Sequence, residues 1–240
     1  MSENTNASPG LEYNIDIVFC IDITRRMSSL LREIVRQLDT LVERLLNRME
    51  CKSSSPHQIR VRIIAFGDRN TYNHPIVASS FFVVFPDLQK SDLHSFVSKL
   101  RADGGGKGPN PGLDALAIAM ASDWVQQGDR LRHIIVMFTD ASAHRLEDRV
   151  GEIPPIFRGH IPMSLDQMTD AWEGGGQSAS GVATRLKQPA RRLILFAPDT
   201  YPWATIGDNW AQTVFLPSML GDGLVDLDFE ILIEILANSV

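Results

Sequence analysis

Ile15-Asp16-Ile17-Val18-Phe19-Cys20-Ile21-Asp22-Ile23-Thr24-Arg25-Arg26-Met27 is the stretch that decides how this chain folds. Its β-branched and aromatic residues run together up to Ile21, the composition of a strand buried on both faces. The run ends in an acid and passes at once into a helical pattern. Asp22 and Thr24 therefore fall at the C-terminal end of a strand, where an open α/β sheet places its ligand crevice. The same grammar returns at Ile134-Ile135-Val136-Met137-Phe138, followed by Thr139 and Asp140. Between the two lies a glycine-rich turn, Asp103-Gly104-Gly105-Gly106-Lys107-Gly108-Pro109-Asn110-Pro111. Acids, hydroxyls and glycines on three such loops can converge on one small polar site, the arrangement a hard cation needs.

Outward from this stretch, the chain alternates strands and helices. After the strand at 14–21, Leu30, Leu31, Ile34, Leu38, Leu41, Val42 and Leu45 recur at helical spacing, predicting a helix over about 27–49. Strands are expected at 59–66, 79–85, 132–139, 192–197 and 214–216, with helices at 89–101, 111–127, near 165–172 and at 226–239. The short gap before 79–85 favours antiparallel pairing, because a parallel partner needs a longer crossover. The pattern predicts a three-layer α/β sandwich: a mostly parallel central sheet, one antiparallel edge strand, and helices on both faces. Residues 1–12 read as a disordered leader and 13–240 as a single domain. The 141–190 stretch is a long insertion leaving the fourth strand beside the candidate site, either a binding lid or structural packing.

Composition bounds the function. A chain of 240 residues with 44% hydrophobic and 22% charged content is an ordinary globular one, large enough for a single substantial core. The net charge of −6 argues against a nucleic-acid binder, which carries a clustered basic excess. No window approaches the ~20 apolar residues of a membrane span. Cys20 and Cys51 have neither CxxC nor Cys/His spacing; both read as buried, inert thiols, and a cytoplasmic setting is expected.

Enzyme motifs fail on inspection. Gly104-Gly105-Gly106-Lys107 lacks the leading glycine and the following Ser or Thr of a phosphate loop. No G-x-G-x-x-G follows a strand, Ser178 and Ser180 miss nucleophile-elbow spacing, and the six histidines show no H-E-x-x-H. A non-enzymatic role is expected. Trp172, in the insertion, and Trp203, at the exit of the fifth strand, are candidate partner-contacting aromatics, with a core or loop-anchoring role as the competing reading.

Taken together, the three loops resemble the von Willebrand factor A family, in particular its bacterial TerY-like branch. That branch reads D-x-T/S-G-S-M, then G-G-G-D-x-P-E, then F-T-D-A. This chain reads Asp22-Ile23-Thr24-Arg25-Arg26-Met27, then Gly104-Gly105-Gly106-Lys107-Gly108-Pro109-Asn110, then Phe138-Thr139-Asp140-Ala141. The resemblance implies a Rossmann-like fold and a metal-ion-dependent adhesion site, where magnesium leaves one position open for a partner's carboxylate. It also implies a protein partner, kinase- or phosphatase-related, in a bacterial stress-response or conflict system.

The departures from that pattern carry as much information. Arg26 stands at the second hydroxyl position and Lys107 at an acidic one. Both are donors only and offer a cation no lone pair. Asp22 and Asp140 against Arg26 and Lys107 sum to zero without any ion. The expectation is a degenerate, metal-free site of Asp22, Thr24, Arg26, Lys107 and Asp140 in a metal-independent scaffold or adaptor. The alternative is a working adhesion module in which Asp22, Thr24 and Asp140 hold Mg²⁺.

Overall fold

The computed structural model describes residues 11–51, 55–68, 75–86, 88–105, 108–148, 161–174 and 184–240. Its centre is β1 (Tyr13–Asp22), all ten residues of which are buried. β2 (Gln58–Phe66) and β5 (Arg130–Phe138) pair with it in parallel on either side. β6 (Arg191–Pro198) and β7 (Thr213–Ser218) extend the sheet in parallel beyond β5. Along the outer edge of β2 run β3 (Ile76–Ala78) and β4 (Phe82–Phe85), both antiparallel to it. The sheet is thus the mostly parallel one expected, with its antiparallel edge in two short pieces.

Ser79 explains why that edge is broken. Its N–H donates to the Ile63 carbonyl at 2.9 Å, but its hydroxyl, not its carbonyl, accepts the Ile63 N–H at 3.0 Å. The freed Ser79 carbonyl accepts from Arg62 Nε. A side chain standing in for backbone ends the ladder.

Helices cover both faces. α1 (Ser28–Glu50) follows a single 3-10 turn at Arg25–Met27 and buries Leu30, Leu31, Ile34, Leu41, Val42, Leu45 and Met49 as one stripe. α2 (Lys90–Val97) and α6 (Phe229–Ser239) share this layer with it. The other layer holds α3 (Gly112–Met120), α4 (Leu165–Glu173) and α5 (Trp203–Asn209), the last a short helix without a sequence signal. α3 stops at Met120, well short of 127. Its last carbonyls are taken by side chains: Ser122 Oγ donates to Ile118, and the Trp124 indole donates to Ala119 and Met120. Among the described residues no helix is long and apolar enough to cross a membrane.

Of the expected leader, residues 1–10 lie outside the described residues. Glu12 is tied down, its carbonyl accepting from Asp129 and Arg130 N–H. Cys20 is buried as expected, and burial pushes its thiol pKa up; Cys51 is exposed, which corrects the buried reading for that residue.

Near the start of β1 an ion pair between a buried carboxylate and a partly buried arginine holds β2 against it. Arg60 donates two bonds to Asp16, at 2.7 and 2.6 Å, and Val125 N–H adds a third at 2.7 Å. The Asp16 side chain is 1% exposed. Removing one partner of such a pair strands a buried charge. Arg60→Ala is expected to cost about 3–5 kcal/mol, read as a lower urea midpoint at unchanged slope. A loss below about 1 kcal/mol would show that the pair is not needed.

Candidate functional site at the strand ends

β1 and β5 lie side by side, and their connections leave to opposite faces: β1 continues through α1, β5 through the segment containing α4. The crevice between their C-terminal ends is the switch point where such sheets place a ligand. The glycine turn joins it directly, since Thr24 and Gly104 form a β-bridge and Arg25 N–H donates to the Gly104 carbonyl at 3.1 Å. A second bridge, Asn110 with Ala143, ties the start of α3 to the segment after β5.

Asp22 is the hub. Its side chain is fully buried and takes donors from three loops. Thr24 N–H reaches Oδ1 at 2.8 Å, while Asn110 Nδ2 and the Thr139 hydroxyl reach Oδ2 at 2.7 and 2.9 Å. Asn110 Oδ1 accepts the Gly112 N–H at 3.1 Å, capping α3, which fixes the amide with its NH₂ toward Asp22. Burial raises the Asp22 pKa to about 6; the nearby Asp140 carboxylate adds to the rise, against the Thr24 and Thr139 donors.

Asp140 is held by a different set. Arg26 Nε donates to Oδ2 at 2.8 Å, and Gly223 N–H donates to the same oxygen at 3.0 Å. The Asp140 side chain is 0% exposed and that of Arg26 35%. A loop after β7 straps over this pair, with Gly221 N–H on the Asp140 carbonyl at 2.7 Å. Gly221 and Gly223 have φ of 80° and 70°, and a Cβ on Gly223 would lie 2.4 Å from the Arg26 carbonyl oxygen. Only glycine lets the strap adopt this path so close to Arg26.

Thus Asp22, Thr24, Arg26 and Asp140 meet in one crevice, while Lys107 lies outside the described residues. The two tryptophans require a correction. Trp172 and Trp203 are both 0% exposed, so neither forms a partner-contacting rim. Trp203 supports the site from behind: its indole donates to the Ala141 carbonyl at 2.8 Å, and Gly112 packs against its ring. Trp172 stacks on Trp210 at 5.2 Å between ring centroids, within the core. Asn110 and the strap Gly221-Asp222-Gly223 were missed by sequence reasoning. The Asn-Pro-Gly start of α3 is a capping signal that points to the first, and the Gly-Asp-Gly turn to the second.

Magnesium asks for near-octahedral oxygen ligands. Here the two Asp22 oxygens already accept three donors, and Asp140 Oδ2 accepts two. Asn110 and Arg26 turn nitrogen donors, not lone pairs, toward the carboxylates. Two buried oxygens, Asp140 Oδ1 and Thr24 Oγ1, have no hydrogen-bond partner. Two oxygens beside a bound guanidinium do not make the ligand set, so the residues present do not fit a magnesium ion.

The raised Asp22 pKa gives a pH signature. The ordinary value is 3.8 and the folded value about 6, so the folded state binds the proton more tightly. The associated stability is present below about pH 4 and lost as pH rises through 6, amounting to about 3 kcal/mol. Denaturation of the parent and of Asp22→Asn at pH 4 and 7, with chelator present, measures it. The drop between the two pH values is expected to shrink by about that amount in the variant; equal drops would place the proton elsewhere.

The von Willebrand factor type A (VWA) family model matches residues 16–154, more than half of the chain. Two crystal structures of the pilus adhesin SpaC from Lactobacillus rhamnosus GG, one in its open conformation, superpose with TM-scores of 0.52 at 10% and 11% identity. The match covers 94% of this chain but 30% of the adhesin, so the chain spans less than a third of that protein's length. Proximal thread matrix protein 1 from the mussel byssus gives a TM-score of 0.44 at 11% identity, over 95% of this chain and 48% of that one. No curated protein matches the sequence. With the matched family, the Rossmann-like sheet and the three strand-end loops in place, the chain belongs to the von Willebrand factor type A domain family.

Proposed function

We propose that this chain is a non-enzymatic protein-interaction module whose strand-end crevice is held by an arginine in place of a metal ion. The observation that carries this reading is Arg26 Nε on Asp140 Oδ2 at 2.8 Å, with Asp22 accepting from Thr24, Asn110 and Thr139. A tethered guanidinium neutralises Asp140 and occupies one of its two oxygens. Absence of catalysis is supported by burial. The pair that most resembles a base and a nucleophile, Asp22 with Thr139, has both side chains inaccessible to a substrate.

The finer reading is a metal-independent scaffold or adaptor in a bacterial stress-response or conflict system, acting in the cytoplasm on a kinase- or phosphatase-related protein. The TerY-like order of the three loops supports the system and the partner class. Two cysteines without a disulfide or metal spacing support a reducing compartment. With Trp172 and Trp203 in the core, the apolar rim beside the crevice falls to the strap, where Met219 is 75% and Leu220 60% exposed.

Calorimetric titration with Mg²⁺ and Mn²⁺ tests the metal-free reading. No saturable site is expected in the parent, and Arg26→Ser with Lys107→Asp, which restores oxygen ligands, is expected to gain one. A tight magnesium site in the parent, abolished by Asp22→Ala, overturns the proposal. Arg26→Ala is expected to cost about 1–3 kcal/mol by urea denaturation, less than for a fully buried pair because water reaches the guanidinium.

A further inference from the structure

At the other end of the sheet, where the strands begin, three arginines gather around one phenol. Tyr13 opens β1 and faces Arg130 in the register of β5; Arg132 lies two residues on, opposite Ile15. Arg192 of β6 is opposite Ile134. Tyr13, Ile15 and Ile134 belong to the core beneath α1 and α6, and strand alternation puts all three arginines on that same face. Arg130 Cζ sits 4.4 Å from the centre of the Tyr13 ring.

The two inner guanidiniums are oriented by carbonyl groups. Arg132 Nε donates to Ser239 at 3.1 Å and Nη1 to Leu131 at 2.8 Å. Arg192 Nη1 donates to Pro189 and Arg191, at 3.2 and 2.6 Å. Among the described residues neither Arg132 nor Arg192 makes an ion pair or hydrogen bond with a carboxylate. Two acids flank the strand starts, Glu12 and Asp129, and the Asp129 carboxylate accepts the Glu12 N–H at 2.8 Å.

Tyr13 is 4% exposed and its hydroxyl, fully buried, has no hydrogen-bond partner. Burial raises its pKa despite the pull of the three guanidiniums, so the phenol keeps its proton and can donate. Burial lowers the pKa of Arg132 and of Arg192, and neighbouring arginines lower both further. The buried phenol is a donor without a partner, Arg132 is repelled by Arg130, and Arg192 is repelled by Arg132. An anion relieves all of these costs at once.

We propose that Tyr13, Arg130, Arg132 and Arg192 form a binding site for a phosphate-type oxyanion, supplied as inorganic phosphate or as a phosphate monoester. Guanidinium forks match the geometry of a tetrahedral oxyanion and bind it through paired charge-assisted bonds. Arg130 is exposed and Arg132 and Arg192 are half-buried, so the cluster opens to solvent. The site stands apart from the strand-end crevice and does not depend on its reading.

The test is a calorimetric and thermal-melting titration of the full chain with inorganic phosphate, against chloride at equal ionic strength, with phenyl phosphate as a second arm. Saturable binding and a raised melting temperature are expected in the parent. Arg192→Gln removes a charged fork and Tyr13→Phe a single donor, and each is expected to weaken binding about tenfold or more. Tighter binding of phenyl phosphate identifies an esterified ligand, and tighter binding of the free ion identifies phosphate itself. Equal melting in phosphate and chloride with no saturable heat from either ligand overturns the proposal. So does parent-like affinity in Tyr13→Phe, the variant least disruptive to the fold.

Discussion

A carboxylate with no access to water, set at the end of the central strand, is the constraint around which the top of this domain is organised. An unpaired buried charge is costly enough that the protein must supply donors or keep the group neutral. Asp22 does some of both: three loops donate to it, and its pKa still rises to about 6. Because the donors come from Thr24, Asn110 and Thr139, segments far apart in sequence are locked into one arrangement. Asn110 passes the constraint on by capping α3, and Trp203 braces the same region from below. Geometry at the crevice is therefore coupled to the packing of the α3 and α5 layer.

Arginine and a divalent ion solve the second carboxylate's problem in different ways. A bound ion is exchangeable and leaves a coordination position open, whereas Arg26 is covalently present and directional. Its presence demands space, which the strap provides through two glycines with positive φ, one of them packed against the Arg26 carbonyl. Arginine and strap thus form one device. In the proposed reading the crevice no longer senses divalent cations, and its shape is set once the chain has folded. Recognition then depends on surface around the crevice and not on completion of a coordination sphere.

Much of this was legible in the sequence because it rests on patterns with a period or an order. β1 and β5 announce themselves as apolar runs ending in acids, and the α1 stripe recurs at helical spacing. Arg26 was identifiable as a misplaced donor without knowing where it points. What was not legible depended on single long-range contacts. The early stop of α3 comes from the Trp124 indole turning back on Ala119 and Met120, and the break between β3 and β4 from the Ser79 hydroxyl. α5 is too short to show a period. Trp203 looked like a rim residue because it follows a strand end, yet its indole points inward to Ala141. Loop chemistry gives a residue's position along the chain, but not the side of the loop on which its ring is packed.

The described helix of the 141–190 stretch is built into the core, whereas the strap after β7 is not. Leu165, Met168, Ala171 and Trp172 of α4 are buried in the core of that layer. The Trp172 indole donates to Ala211, the Trp210 indole donates to Thr169, and Glu173 accepts from the buried Arg191. These bonds knit α4 to β6 and to the segment before β7, so this helix cannot lift away as a lid without opening the core. The strap differs in kind. Its backbone is fixed by Asp140 and by the Asp222 carboxylate, which accepts from Met219 and Leu224 N–H, while Met219 and Leu220 project into solvent. A rigid turn presenting apolar side chains loses little entropy when a partner covers it. In the proposed reading, the residues that stand in for a metal also set the posture of the surface offered to a partner.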